Sequence, residues 1–158
     1  MKSIIPNLWF DGNAEQAAEF WVSVFPASRV LGTTRYPEGA PGPTGSVMTI
    51  EWEILGGQRF TGINGGPQFS FSEAISFALS CDTQEEVDRY WEALTSDGGE
   101  EGQCGWFKDR FGVSWQVVPK GMEEVLGDPD PARGQRAVQA MMGMKKLDVA
   151  ALRAAAAG

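Results

Sequence analysis

The sequence predicts an α+β fold: two βαβββ modules in tandem, followed by C-terminal helices. Three observations carry this reading. A strand followed by an amphipathic helix occurs twice, and the copies superimpose at a shift of 70 residues. Ile5 falls on Ile75, Glu15 on Glu85, Ala17 on Val87, Phe20 on Tyr90 and Trp21 on Trp91. The hairpins that follow superimpose at a shift of 55, placing Gly57 on Gly112, Phe60 on Trp115 and Thr61 on Gln116. The drop from 70 to 55 is absorbed by residues 37–45, which hold three Pro and three Gly and have no counterpart in the second copy. Any two amphipathic helices align to some extent by chance, but the identities, the matched apolar stripe and the shared order favour a duplication. The expected organisation is a single domain over 1–158, with modules at 3–68 and 69–119 and a helical extension at 120–158.

In the first module, residues 4–10 are β-branched and aromatic and read as a strand, closed by the turn Asp11-Gly12-Asn13. Ala17, Phe20, Trp21, Val24 and Phe25 then recur at helical spacing, with Asn13 as N-cap and Pro26 as stop. Residues 29–36 read as a strand and 37–45 as a loop. Residues 47–55 and 58–63 form a hairpin about Gly56-Gly57, and Asn64-Gly65-Gly66-Pro67 ends the module.

In the second module, residues 74–81 alternate between large Ile75, Phe77 and Leu79 and small Ala74, Ser76, Ala78 and Ser80. The large face should pack on a helix and the small face should leave space for a pocket. Thr83-Gln84-Glu85-Glu86 is a capping box. The helix it opens carries Val87, Tyr90, Trp91 and Leu94 on one side, and Asp97-Gly98-Gly99 ends it. Residues 104–109 and 113–118 form a hairpin around Arg110-Phe111-Gly112. Beyond Pro119, Asp130-Pro131 starts a helix with Val138, Met141 and Met142 on its apolar side. Asp148 opens a last alanine-rich turn or two, expected to fray.

Composition narrows the chemistry. The 158 residues include 13 Lys+Arg, 21 Asp+Glu and no His, for a formal net charge of −8. Without His there is no imidazole base, no Ser-His or Cys-His dyad and no His-ligated metal. The acidic balance argues against nucleic acid and anionic membranes as partners. No apolar run approaches the ~20 residues of a membrane span, and Met1 to Pro6 is too short to serve as a signal peptide. Cys81 and Cys104 make neither a disulfide framework nor a zinc knuckle, so a cytoplasmic location is expected.

Three segments carry a resemblance: residues 8–15 (Leu-Trp-Phe-Asp-Gly-Asn-Ala-Glu), Asn64-Gly65-Gly66-Pro67, and the run from Gln103-Cys104-Gly105-Trp106 through Lys108-Asp109 to residues 112–119 (Gly-Val-Ser-Trp-Gln-Val-Val-Pro). They resemble the PhnB-like branch of the vicinal oxygen chelate superfamily, which includes glyoxalases, bleomycin-resistance proteins and dihydroxybiphenyl dioxygenases. The resemblance runs over about residues 3 to 155. It implies paired βαβββ modules forming a curled mixed sheet with a ligand cavity, and frequent dimerisation. Metal-dependent members place His or carboxylate at four cavity positions, which the resemblance carries to Ile4, Thr61, Ala74 and Gln116. None of these residues is a good ligand for a divalent transition metal, and a shift of one residue would add only Glu73. Many members of this branch bear the label 3-demethylubiquinone-9 3-methyltransferase. The sequence has no Gly-rich strand–turn–helix loop of the kind a Rossmann-type methyltransferase needs.

Strand parity selects pocket candidates. Val113, Trp115 and Val117 form one face of the last strand, and Ser114, Gln116 and Val118 the other. Cys104, Trp106 and Lys108 share a face of its partner. Cys104 is a nucleophile candidate or a small buried hydrophobe; without His, a Lys or Arg would have to activate it. Trp9 and Trp106 can stack a planar ligand or fill the core, and Trp115 belongs to the core. Asn64 orients a ligand or caps its own turn. Gln116 and Ser76 are polar groups aimed inward, and Glu73 and Glu51 are candidate acids. Met141, Met142 and Met144 form an apolar strip for packing on the sheet or across a homodimer. The resulting expectation is a protein that binds a small planar or aromatic molecule at Trp9, Thr61, Asn64, Glu73, Ser76, Cys104, Trp106 and Gln116, with no metal and no cofactor. The alternative is an enzyme acting through Cys104 or Glu73, with methyltransferase-type activity as its family label suggests.

Overall fold

Each module forms a four-stranded sheet backed by one helix. The computed structural model describes residues 2–158. Met1, and with it part of the signal-peptide reading, lies outside the described residues. The chain divides into two compact units, one ending at Phe71 and the other beginning at Ser72.

The first unit contains β1 (Asn7–Phe10), α1 (Ala14–Val24), β2 (Arg29–Arg35), β3 (Val47–Ile54) and β4 (Gln58–Asn64). Its sheet order is β1-β4-β3-β2, with β1 parallel to β4 and the other pairs antiparallel. The amphipathic stripe of α1 packs on one sheet face. There Trp21 meets Trp52 and Phe60 edge-on, at 5.5 and 5.1 Å between ring centroids, and Trp52 stacks on Phe60 at 5.6 Å. Gly62 sits beneath the helix. A Cβ there would lie 3.0 Å from Ala14 Cβ and 3.1 Å from the Trp52 ring, so only glycine lets α1 approach this closely.

The second unit repeats the plan. It contains β5 (Phe77–Cys81), α2 (Gln84–Thr95), β6 (Glu100–Glu101), β7 (Trp106–Lys108) and β8 (Ser114–Pro119). Its order is β5-β8-β7-β6, the same permutation as in the first unit, with the first strand again parallel to the last. Trp91 of α2 occupies the place of Trp21 and contacts Phe107 at 5.4 Å. The capping box forms as read, except that the Glu86 carboxylate accepts from the Asp82 N–H rather than from the cap residue. Three helices complete the unit: α3 (Met122–Leu126), α4 (Pro131–Met142) and α5 (Val149–Ala157). Val125, Ala137, Leu152 and Ala156 form their common core.

Several boundaries differ from the sequence reading. β1 begins at Asn7, not at residue 4, because Pro6 has no N–H to pair, and Ile4 is 95% exposed. β5 begins at Phe77, and Ile75 lies in the preceding turn, 74% exposed instead of packed on a helix. β7 begins at Trp106, because Cys104 and Gly105 both have left-handed backbones, with φ of 57° and 84°. The strand-to-helix connection has one residue fewer in the second unit, so the helices superimpose at 70 and the first strands at 71. The two-residue β6 and five-residue α3 are too short to carry a period. Far from fraying, α5 is docked through Leu152 and Ala156, with Asp148 capping Ala151.

Candidate functional site

The period-two alternation of β7 and β8 places Trp115 and Val117 toward α2 and leaves Ser114 and Gln116 on the opposite face. In register, Trp106 lies opposite Gln116 and Lys108 opposite Ser114. These four side chains form a rectangular patch. Its Lys108 end opens into a recess of about 160 Å³, also lined by Glu73, Glu100, Glu101, Gly102 and Phe107.

The polar groups here differ in how well they are satisfied. The Gln116 amide donates to Ser76 Oγ at 2.9 Å. Lys108 Nζ lies 2.6 Å from Glu73 Oε1. This hydrogen bond holds the Glu73 carboxyl below its ordinary range and raises the Lys108 ammonium above its own. Ser114 is 2% exposed, and its hydroxyl has no hydrogen-bond partner among the described residues. A buried hydroxyl without a partner is uncommon, because desolvation is uncompensated. Ser114 follows from parity with Gln116, and Lys108 from parity with Trp106. Glu100 gave no signal, because β6 is too short to predict.

Cys104 stands apart from this patch. Its N–H donates to the Met144 carbonyl at 2.8 Å, and its thiol lies 3.5 Å from the Met141 carbonyl. The left-handed turn at Cys104 and Gly105 breaks the alternation that put Cys104 on one face with Trp106 and Lys108. Asp109 closes the β7–β8 hairpin from the buried side. Its carboxylate accepts from the N–H groups of Phe111 and Val113 and from Trp115 Nε1, at 2.9 to 3.1 Å.

In the first unit, the face opposite α1 carries Thr61 between Asn7 and Glu51, with Ile63 between Trp9 and Thr49. Glu51 is ion-paired with Arg59 at 3.1 Å. Trp9 Nε1 donates to the Gly66 carbonyl, and its ring meets Phe69 edge-on at 5.0 Å. Asn64 is neither a free ligand group nor the cap of its own turn. Its Oδ1 accepts from Ala14 N–H at 2.9 Å, and its Nδ2 donates to Glu15 Oε1 and to the Val47 carbonyl, at 2.6 and 3.1 Å. Asn64 therefore caps α1 across 50 residues of chain, whereas the Asn13 side chain makes no capping bond. Asn64 also borders a cavity of about 420 Å³ beside Asp11, Tyr36 and the 37–45 loop. The Tyr36 hydroxyl donates to the Asn64 carbonyl at 2.5 Å. A further cavity of about 510 Å³, at the starts of α2 and α5 near Lys120 and Arg153, contains none of the predicted site residues.

A family model described as 3-demethylubiquinone-9 3-methyltransferase matches residues 2–118. The solved PhnB protein of Bacillus cereus, whose description carries the same methyltransferase label, is 32% identical. The alignment covers 75% of this chain and 99% of that one, with a TM-score of 0.67. The chain belongs to the PhnB-like branch of the vicinal oxygen chelate superfamily. Protein PA1353 of Pseudomonas aeruginosa is 22% identical over 75% of this chain and 98% of its own, with a TM-score of 0.62. The fosfomycin resistance protein FosX of Listeria monocytogenes, solved with Mn(II) and sulfate, is 15% identical over 80% of this chain and 95% of its own, with a TM-score of 0.55. These last two likenesses bear on the fold alone. No curated protein sequence matches the chain.

Membership in the vicinal oxygen chelate superfamily raises the question of a metal. Register corrects the assignment to Ile4 and Ala74, both of which lie ahead of their strands. The residues opposite Thr61 and Gln116 are Asn7 and Ala78. The donor set is then Asn7 and Thr61 in one unit, and Ala78 and Gln116 in the other. Neutral amides, one hydroxyl and a methyl do not suit a divalent transition metal. No group of three or more His, Cys, Asp or Glu among the described residues is placed to hold a metal ion.

Proposed function

We propose that this vicinal oxygen chelate protein binds a small planar molecule without a metal, using the recess of the second unit. The observation that carries the reading is the Ser114 hydroxyl, buried and without a partner among the described residues. It lines a recess shared with Trp106 and Lys108. A ligand atom that hydrogen-bonds Ser114 would offset its desolvation, and the indole would supply apolar contact. Trp9, Thr61 and Asn64 belong to the other unit, and the amide of Asn64 is already taken up in capping α1.

Nothing in the geometry favours an enzyme over this reading. The Cys104 thiol is directed at the Met141 carbonyl, and Cys104 is not among the residues lining the recess. The Glu73 carboxyl, with its pKa lowered by Lys108, stays ionised at neutral pH and is a poor proton donor. The methyltransferase label would require a methyl-donor site, and the sequence has no motif for one.

A thermal-shift screen of chelator-treated protein tests the proposal. A planar ligand at about 100 times its Kd should raise Tm by about 8 °C, and Trp106→Ala should remove that rise. A flat response over a broad aromatic set, or dependence on added Zn, Mn or Ni, would contradict it. The same reading includes a homodimer, supported by Val138 and Met142 left exposed on α4; light scattering on the purified protein would test it. A cytoplasmic location is supported by two free cysteines. Among the described residues no helix is long and apolar enough to cross a membrane.

A further inference from the structure

We infer that the ligand of this recess is a small aromatic monocarboxylate, and that Glu73 holds the place of its carboxylate on Lys108 until it arrives. The inference rests on the small-molecule-binding reading above. Lys108 is the one cation among the residues lining the recess. It projects from β7 opposite Ser114 in the register of the sheet, so neighbouring strands bring a residue with an ammonium and one with a hydroxyl donor to the same recess. A carboxylate has two acceptor oxygens and can take one donor on each. The Ser114 donor is unused among the described residues. Glu73 takes one of the three Lys108 N–H donors, at 2.6 Å, and offsets the ammonium charge.

The two partners of that ion pair are held very differently. The Lys108 side chain rises from a paired strand and is 32% exposed, whereas that of Glu73 is 64% exposed and stands ahead of β5 with no strand partner. An exposed ion pair adds little stability, so Glu73 can yield its position to an incoming carboxylate at small cost. The body of the ligand would then lie toward Trp106, two residues along the same face of β7, about 6.7 Å away at ~3.3–3.4 Å per residue. That span suits one aromatic ring attached directly to its carboxylate. The recess, about 160 Å³, has room for a single ring. Glu100 lies opposite Lys108 on the other side. A single cation flanked by acidic residues favours a singly charged ligand over a phosphate.

Calorimetric titration with benzoate and its neutral isostere benzamide tests the inference on wild type, Glu73→Gln, Lys108→Met and Trp106→Ala, with circular dichroism to verify folding. Benzoate should bind wild type at least tenfold more tightly than benzamide. Glu73→Gln, by removing the competing carboxylate, should tighten benzoate about tenfold and leave benzamide unchanged. Lys108→Met should erase the preference for benzoate. If both probes bind equally, or Glu73→Gln leaves the benzoate Kd unchanged, while Trp106→Ala still abolishes binding, the carboxylate inference is overturned and the binding reading stands. If neither probe binds wild type or Glu73→Gln at millimolar concentration, both fall.

Discussion

Asp109 ties the second unit's hairpin together from the buried side. Its buried carboxylate accepts from two backbone N–H groups and one indole N–H. Asp109→Ala leaves those three donors without that acceptor and should cost roughly 3 kcal/mol or more. Asp109→Asn should cost less, since one amide oxygen survives; urea unfolding of both variants measures this. Asn64→Ala should cost about 1–2 kcal/mol, as expected for a lost helix cap, although the residue is 50 positions from the helix it caps. An N-cap is normally sought immediately before the helix, so the sequence pointed to Asn13. Only the fold brings Asn64 there. The cysteines supply a third test. Cys81 is buried, and burial pushes its thiol up to about 11, whereas Cys104 is half-buried. Alkylation of native protein at pH 8 should leave Cys81 unlabelled, and mass spectrometry after denaturation should then find it free. Labelling of native Cys81 would contradict its burial.

At the scale of the element, the duplication was readable because strands, helices and hairpins each leave a period. The stripes that contain Trp21 and Trp91 fall on equivalent buried helix faces. The parity of β8, with Trp115 and Val117 on one side and Ser114 and Gln116 on the other, is the alternation seen in the sequence. What escaped the sequence was whatever interrupts a period. Left-handed residues at Cys104 and Gly105 reorient the thiol, and Ile75 falls in a turn where its apolar character suggested a strand. Gly62 marks how tightly α1 sits on its sheet. Gly62→Ala would force a Cβ to within 3.0 Å of Ala14 Cβ and should destabilise by about 1–3 kcal/mol, measurable by denaturant unfolding. An unchanged midpoint would mean that α1 can move away without cost.

For the whole molecule, two features of the composition govern behaviour: the net charge of −8 and the absence of His. Glu73, Asp88, Glu101 and Asp128 all have carboxyls held below their ordinary values, chiefly by hydrogen bonds to Lys108, Lys146, Trp91 and the Asp130 backbone, respectively. A depressed folded-state pKa contributes stability that is present above the unfolded value and lost as pH falls through the folded one. Stability should therefore decline below about pH 4.5. With no His to titrate, it should show no step between pH 6 and 7. A urea midpoint measured across pH 3 to 8 checks both statements. The missing imidazoles matter most at the superfamily's metal positions, where strand register supplies Asn7, Thr61, Ala78 and Gln116. The recess of the second unit supplies a buried hydroxyl, an ion-paired lysine and an indole. The most direct test is an amide NMR titration of chelator-treated protein with a planar ligand. Shifts concentrated at Trp106, Lys108, Ser114 and Gln116 are predicted, unchanged by added Mn or Zn. Shifts that appear only with metal, or that map away from β7 and β8, would contradict a metal-free site in the second unit.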